Sequence, residues 1–339
     1  MPMQEVVDFI IANKDKRFAL TGHPRPDGDA IGSVVGLCEI LKNAGYDARA
    51  VNLFPIPERL SFLIEPSSVL PLPPEWVNDF DCFIVMDCGD WPRLHEINQV
   101  AKGSKLRIAT IDHHASSQGI GEAVWIQPDA SSVGEMVVNL ALAAGWEIPA
   151  AAAEALWVAI VTDTGRFSYE NTSPQALAAA RECLVLGAKP ARVAEFVYQS
   201  VTRQERALQS RALSRMQYFE DGKIAVTWLV HQDFIDADCG IEGAQDMINL
   251  LRDTAGVEVA LFLCEIITYT GDVLPGAKAS VRTAEPYDAI KLVAGYGGGG
   301  HHRAAGCTID LPIDTAKRHF VEAARKIFFN RATSSSVRI

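Results

Sequence analysis

Residues 17–43 read RFALTGHPRPDGDAIGSVVGLCEILKN. The first six, 17–22, are a short apolar run ending in Gly22, the pattern of a buried strand. Residues 30–43 carry apolar side chains at Ile31, Val34, Val35, Leu37, Cys38, Ile40 and Leu41, which is helical spacing, and Gly45 follows as a stop. The polar loop between them holds His23, Asp27 and Asp29. A strand, a polar loop and a helix in this order begin an α/β layer.

The alternation continues along the chain. Residues 47–53, 82–86 (CFIVM) and 106–111 (LRIATI) read as strands, and 132–144 and 151–163 as helices rich in Ala, Val and Leu. This predicts an α/β fold whose N-terminal sheet is mostly parallel, with helices on both faces and right-handed crossovers. Residues 174–215 read as mainly helical. A second α/β pattern follows, with strands at 223–230, 257–265 and 277–283 and helices near 241–254 and 313–328. The expected organisation is a domain over 1–190, a helical linker over 191–216, a smaller α/β domain with a mixed sheet over 217–331 and a polar tail over 332–339.

Composition narrows the function. The chain has 339 residues, 48% hydrophobic and 22% charged, which suits a globular protein of two domains. No apolar run approaches the ~20 residues that span a bilayer, and the N-terminus lacks the basic-then-apolar pattern of a signal peptide. The seven cysteines form no CxxC pair, as expected of free thiols in a reducing, cytoplasmic compartment. Net charge is −11, which argues against coating long or duplex nucleic acid by counterion release. A small anionic substrate at one local site is compatible with it.

Ligands of parallel sheets bind beyond the carboxyl ends of the strands. The first strand runs into His23, Asp27 and Asp29, the CFIVM strand into Asp87, and the LRIATI strand into Asp112, His113 and His114. The helix over 151–163 ends at Asp163. Carboxylates gathered without cations raise one another's pKa. Mixed carboxylate and imidazole ligands suit divalent metals, Mn²⁺ first, with Mg²⁺, Fe²⁺ and Co²⁺ as competitors. Gly28 is expected to turn the backbone so that Asp27 and Asp29 diverge. Two ions about 3.5–4 Å apart are the usual arrangement for in-line phosphoryl displacement. Further on, 295–306 read GYGGGGHHRAAG. Gly297 to Gly300 are expected to form an anion-binding nest of backbone N–H groups, and Arg282 to offer a bidentate grip for phosphate.

GHPRPDGDAIGS (22–33), VMDCGD (85–90), IDHHAS (111–116), VTDTGRF (161–167), ASVRT (279–283) and GGGGHHRAAG (297–306) occur in this order. The chain thereby resembles the DHH phosphoesterases that carry a C-terminal DHHA1 domain, in particular stand-alone cytosolic members of the nanoRNase/pAp-phosphatase type. The resemblance implies that His23 and Asp27 bind one metal, that Asp29, His113 and Asp163 bind the other, and that Asp87 bridges both. Asp112 would support the site from behind and His114 would face the substrate phosphate. Arg282, Gly299, Gly300, His301 and His302 would hold phosphates or a terminal nucleotide.

The reaction so implied is two-metal hydrolysis by a bridging hydroxide attacking phosphorus in line. The expected substrates are nanoRNA, linear or cyclic dinucleotides, or pAp, with the second domain closing over them. The chain is compatible with a homodimer. A polyphosphatase or pyrophosphatase keeps the same metal site, and a non-catalytic nucleotide sensor is the alternative of another class.

Overall fold

The computed structural model describes residues 2–329 apart from 25, 52, 54–55, 65–68, 70–73, 95, 245–246 and 269–270, and excludes the side chains of 74, 75, 96 and 301. The expected tail over 332–339 lies outside the described residues. The chain divides into two compact units, Met1–Ser200 and Val201–Ile339.

The first unit runs α1 (Pro2–Ala12), β1 (Arg17–Thr21), α2 (Gly28–Asn43), β2 (Asp47–Ala50), β3 (Cys82–Met86), α3 (Glu96–Ala101), β4 (Arg107–Asp112), β5 (Ala123–Ile126), α4 (Val133–Ala144), α5 (Ala150–Asp163), α6 (Pro174–Val185) and α7 (Pro190–Tyr198). Its five strands are all parallel, in the order β2-β1-β3-β4-β5. Successive strand residues point to opposite faces, and both faces are covered. Phe18, Leu20, Ile84, Met86 and Ile111 join a core with α1, α2, α4 and α5. Ala19, Phe83 and Val85 join another with Leu94, Ile97 and Ala101. Burial on both sides explains why these strands read as continuous apolar runs.

Helix α2 starts two residues before the apolar period does. Asp27 caps it, its Oδ1 accepting from the amides of Asp29 and Ala30 at 3.0 and 3.1 Å. Gly28 is therefore helical, and its expected role as a turn residue is corrected. A Cβ there would lie 2.6 Å from Cγ2 and 2.8 Å from Cβ of Thr162. At Gly32 a Cβ would collide with the Ala155 carbonyl oxygen and sit 2.9 Å from the Ala159 nitrogen. The glycines let α2 and α5 approach closely, which brings Asp27 and Asp29 beside Asp163.

The second unit runs α8 (Arg203–Ser214), β6 (Gln217–Phe219), β7 (Ile224–Leu229), α9 (His231–Ala237), α10 (Met247–Arg252), β8 (Val259–Ile267), β9 (Val273–Thr283), α11 (Ile290–Val293), β10 (Gly299–His301), β11 (Ala304–Ile309) and α12 (Ile313–Phe328). Its six-stranded sheet is mixed, in the order β10-β11-β9-β8-β7-β6, with β7 and β8 parallel. Helices α11 and α12 pack on one face and α8, α9 and α10 on the other. The expected glycine nest is also corrected. The amides of Gly297 and Gly298 bond to the carbonyls of Ala294 and Val293, and Gly299–His301 pairs antiparallel with β11. The run is a helix end followed by an edge strand, which keeps one side of its main chain unpaired. Among the described residues no helix is long and apolar enough to cross a membrane.

Candidate metal centre

Strand β1 lies between β2 and β3, so the chain builds outward from it in both directions. The crevice beyond the carboxyl ends of β1 and β3 is the switch point at which open α/β sheets take their ligands. His23 follows β1 there, Asp87 follows β3, and Asp112, His113 and His114 end or follow β4. The start of α2 brings Asp27 and Asp29, and the end of α5 brings Asp163.

The side chains converge on Asp87. His23 Nε2 lies 3.4 Å from Asp87 Oδ2 and 3.7 Å from Asp27 Oδ1. His113 Nε2 lies 3.6 Å from Asp87 Oδ1, 3.6 Å from Asp163 Oδ2 and 3.7 Å from Asp29 Oδ2. His114 Nδ1 lies 3.5 Å from Asp87 Oδ1 and 2.8 Å from Asp112 Oδ1. Three groups of donors each fall within 4.8 Å of one another: His23–Asp27–Asp87, Asp29–His113–Asp163 and Asp87–His113–His114. Asp29, Asp87 and His113 have side chains exposed by only 1, 3 and 4%, against 47% for Asp27 and 27% for Asp163, so the crevice opens on that side.

Three observations test whether these residues fit divalent ions. Donors held at about 2.1 Å around one cation sit roughly 3–3.5 Å apart, close to the separations just given. Buried Asp87 Oδ1 has no hydrogen-bond partner among the described residues, and Asp87 itself holds a left-handed backbone, φ 56°. The third is the orientation of the imidazoles. His23 Nδ1 faces Pro24 O at 3.0 Å and His113 Nδ1 faces Ala130 O at 3.1 Å. A carbonyl only accepts, so each Nδ1 carries the proton and each Nε2 is turned toward the carboxylates, the orientation of a ligating histidine. The donor set fits.

The electrostatics of the bare centre point the same way. Burial acts to lower the pKa of His23, but the adjacent carboxylates of Asp27 and Asp87 outweigh it and hold the imidazole well above its usual value. His113 is raised likewise by Asp87, Asp163 and Asp29 against its burial. Burial acts to raise Asp87, yet His113 and His23 keep it well below the carboxylate range. Burial and the charges of Asp87 and Asp163 push Asp29 well up. Asp163 is raised by burial, against His113, to about 7. Protons thus balance carboxylates that cations would otherwise neutralise.

Some partnerships have no side-chain pattern to announce them. The Asp29 carboxylate accepts from the amides of Val133 and Gly134 at 2.8 and 2.9 Å, closing the start of α4. Asn171, which sequence reasoning missed, donates to the carbonyls of Ser131 (3.0 Å) and Asp163 (3.1 Å). Only the tight TGRF turn before it hints at a returning chain.

In the second unit, His301, Ala304 and Arg282 share one cross-strand row. Arg282 is half-buried and donates to Val281 O at 3.0 Å. His302 is 56% exposed, with Nδ1 3.5 Å from Asp288 Oδ1. Gly299 and Gly300 lie in β10. The His301 side chain lies outside the described residues.

Comparison with known proteins gives two family matches: the DHH family N-terminal domain over residues 17–160 and the DHHA1 domain over 221–329. The chain is 29% identical over 313 residues to the bifunctional oligoribonuclease and PAP phosphatase NrnA of Thermus thermophilus, covering 90% of this chain and 88% of that one. It is 28% identical over 293 residues to the protein of the same name from Bacillus subtilis, covering 85 and 87%. The crystal structure of an exopolyphosphatase-related protein from Bacteroides fragilis shares the fold, with a TM-score of 0.86, 23% identity and coverage of 95 and 96%.

Proposed function

We propose, from the DHH N-terminal and DHHA1 domains that the chain carries, that it is a metal-dependent phosphoesterase of short phosphorylated nucleotides: RNA fragments of a few nucleotides, linear or cyclic dinucleotides, and pAp. The observation that carries this reading is the donor set around Asp87 at the switch point of the parallel sheet. The names of the Thermus and Bacillus relatives, oligoribonuclease and PAP phosphatase, support the substrate class.

In this reading His23 and Asp27 hold one ion, Asp29, His113 and Asp163 hold the other, and Asp87 serves both. Mn²⁺ is the preferred occupant. Bound divalent ions supply Lewis-acid neutralisation of phosphoryl charge and a lowered pKa for a nearby water. The chain's own groups do the positioning. Asp112 holds His114 through Nδ1, leaving Nε2 for a phosphoryl oxygen of the substrate. Residues 1–190 carry the chemistry, and 217–331 carry the binding of terminal phosphate or nucleotide through Arg282, Gly299, Gly300, His301 and His302. The attacking group is water, in line with the leaving oxygen, and no serine or cysteine acts as nucleophile.

The test is turnover by the full chain, stripped with EDTA and reloaded with Mn²⁺, on pAp, pApA, pGpG, cyclic dinucleotides and 2–10-mer RNA, with pyrophosphate and polyphosphate alongside. The expected result is chelator-sensitive release of mononucleotide or phosphate from the nucleotides. Turnover of polyphosphate alone, or tight nucleotide binding without turnover in Mn²⁺, refutes the reading.

A further inference from the structure

Five consecutive residues at the start of α4, Ala130 to Gly134, anchor two members of the Asp29–His113–Asp163 group. Ala130 O holds His113 Nδ1, and the amides of Val133 and Gly134 hold the Asp29 carboxylate. The third member comes from the far end of another helix. Asp163 is the last residue of α5, where carbonyls have no intrahelical partner. Its carbonyl is met by Asn171 Nδ2 at 3.1 Å, and the same nitrogen meets Ser131 O at 3.0 Å. Asn171 therefore connects Asp163 to the segment that holds the other two.

The path from 163 to 171 is built for this return. Gly165, Arg166 and Phe167 have φ of 54, 62 and 61°. Consecutive left-handed residues that are not glycine persist only where their surroundings over-determine them. Here the Arg166 amide bonds to Val161 O at 2.8 Å, the Phe167 amide to Thr164 Oγ1 at 3.2 Å and the Tyr169 amide to Thr164 O at 3.0 Å. Phe167 packs on Trp157 at 5.6 Å, and Arg166 lies over Tyr198 at 5.0 Å. Asn171 Oδ1 is buried with no hydrogen-bond partner among the described residues, so the two carbonyls it donates to set the orientation of the amide.

We propose that Asn171 is a positioning residue for one cation site: by tying the Asp163 carbonyl to Ser131 it sets Asp163 against Asp29 and His113. The inference rests on the reading of the centre as a metal site. The His23–Asp27–Asp87 group hangs on β1, β3 and the start of α2 instead, so the effect falls on one ion and spares the other.

The experiment is Mn²⁺ titration of the EDTA-stripped full chain, by calorimetry and by EPR of bound Mn²⁺. It compares wild type, Asn171→Ala, the isosteric Asn171→Asp, which keeps the shape but loses the donors, and Ser173→Ala. The last removes the cap of α6, whose Oγ accepts from the Ala176 amide at 3.0 Å, two residues away. Removing a group that orients a metal ligand typically weakens affinity about 10–100-fold. Both Asn171 variants should lose that much for one ion and keep the other within about twofold, while Ser173→Ala keeps both. Unchanged affinities in the Asn171 variants overturn the inference, as does equal weakening of both ions or failure of both variants to fold. A wild-type chain that takes up no Mn²⁺ overturns the metal centre itself, and this inference with it.

Discussion

Replacing Asp87 with Asn separates metal binding from folding. The amide has the volume of the carboxylate, and Asn accepts the left-handed backbone found at 87 as readily as Asp. Asp87 belongs to the His23–Asp27–Asp87 group, and its Oδ1 lies 3.6 Å from His113 Nε2 of the other proposed site, so in the proposed arrangement the change removes an anionic ligand from both. At free Mn²⁺ of 100 times Kd, each site stabilises the folded chain by about 2.7 kcal/mol, or about 5 kcal/mol for two. For a unit of 200 residues, at about 2–4 °C per kcal/mol, Tm should rise by roughly 10–20 °C. Loss of a direct ligand should cost at least the ~100-fold seen for groups that merely orient ligands. Each site in Asp87→Asn would then contribute only about 0.4 kcal/mol at the same Mn²⁺, and Tm would rise by about 4 °C or less. In EDTA the two proteins should melt within a few degrees of each other. The variant gives up the charge that holds His23 and His113 protonated, but it also relieves the repulsion on Asp29. Differential scanning fluorimetry with and without Mn²⁺ reads both quantities, and pAp turnover should fall by at least about 100-fold, or ~2.7 kcal/mol of barrier. A full Mn²⁺-induced shift in the variant refutes the shared ligand. A collapse of the variant in EDTA refutes the claim that Asp87 serves the metal rather than the fold.

Gly32→Ala places a Cβ against backbone atoms of α5, which no rotamer change relieves; overpacking of this kind costs about 1–3 kcal/mol. It should lower both Tm and Mn²⁺ affinity, whereas Gly36→Ala, which meets the Leu156 side chain at 2.6 Å, should be milder; the reverse order in a thermal melt would count against the close α2–α5 approach as the cause. In EDTA, His23, His113, Asp29 and Asp163 all have raised pKa values, so the folded chain holds more protons than the unfolded one from about pH 4 up through those raised values. The Asp29 and Asp163 part is present at low pH and fades as pH rises through their raised values, about 7 for Asp163, and the histidine part fades above 6.5. The lowered values of Asp27 and Asp87 act in the opposite sense only below 3.8. Metal-free Tm should therefore fall from pH 5.5 to pH 8, and Mn²⁺ uptake at pH 6 should release protons, measured by calorimetry in two buffers; a rising metal-free Tm contradicts the assignment. Arg282→Ala should raise KM for pAp about 10–100-fold, the ~1.5–3 kcal/mol of a charge-assisted hydrogen bond, with Lys a partial substitute; unchanged KM removes Arg282 from substrate binding.

The donor residues were legible because each stands where an apolar run breaks. RFALT gives way to His23, CFIVM to Asp87 and LRIATI to Asp112, His113 and His114, and the parallel-sheet rule puts such breaks on one edge. What stayed illegible depends on partners far along the chain. Gly28 offered a plausible local reason, a turn, while its actual constraint is Thr162 on α5. Asp29 looked like a ligand alone, yet it also closes the start of α4. The carbonyls of Ala130, Ser131 and Asp163 carry no side-chain signature, so neither they nor Asn171 could be found from residue type. The strand in GGGGHHRAAG was hidden because glycine has no side chain to show a period of two, and only pairing with β11 makes it a strand.

The net charge of −11 takes on a different meaning at this centre. Asp27, Asp29, Asp87 and Asp163 meet three imidazoles in one crevice, and such an assembly reaches balance in two ways. Protons can supply it, which leaves Asp29 and Asp163 pushed toward their neutral forms. Divalent cations can supply it instead, with every carboxylate ionised and the Nε2 lone pairs of His23 and His113 already turned inward. The second state presents divalent charge to a phosphate; in the first, the protonated His23 and His113 are already balanced by the ionised Asp27 and Asp87 and leave no surplus charge for one. Cation loading must then precede productive phosphate binding, and the acidity that argues against long nucleic acid is, at this one place, what retains the ions that attract a short one.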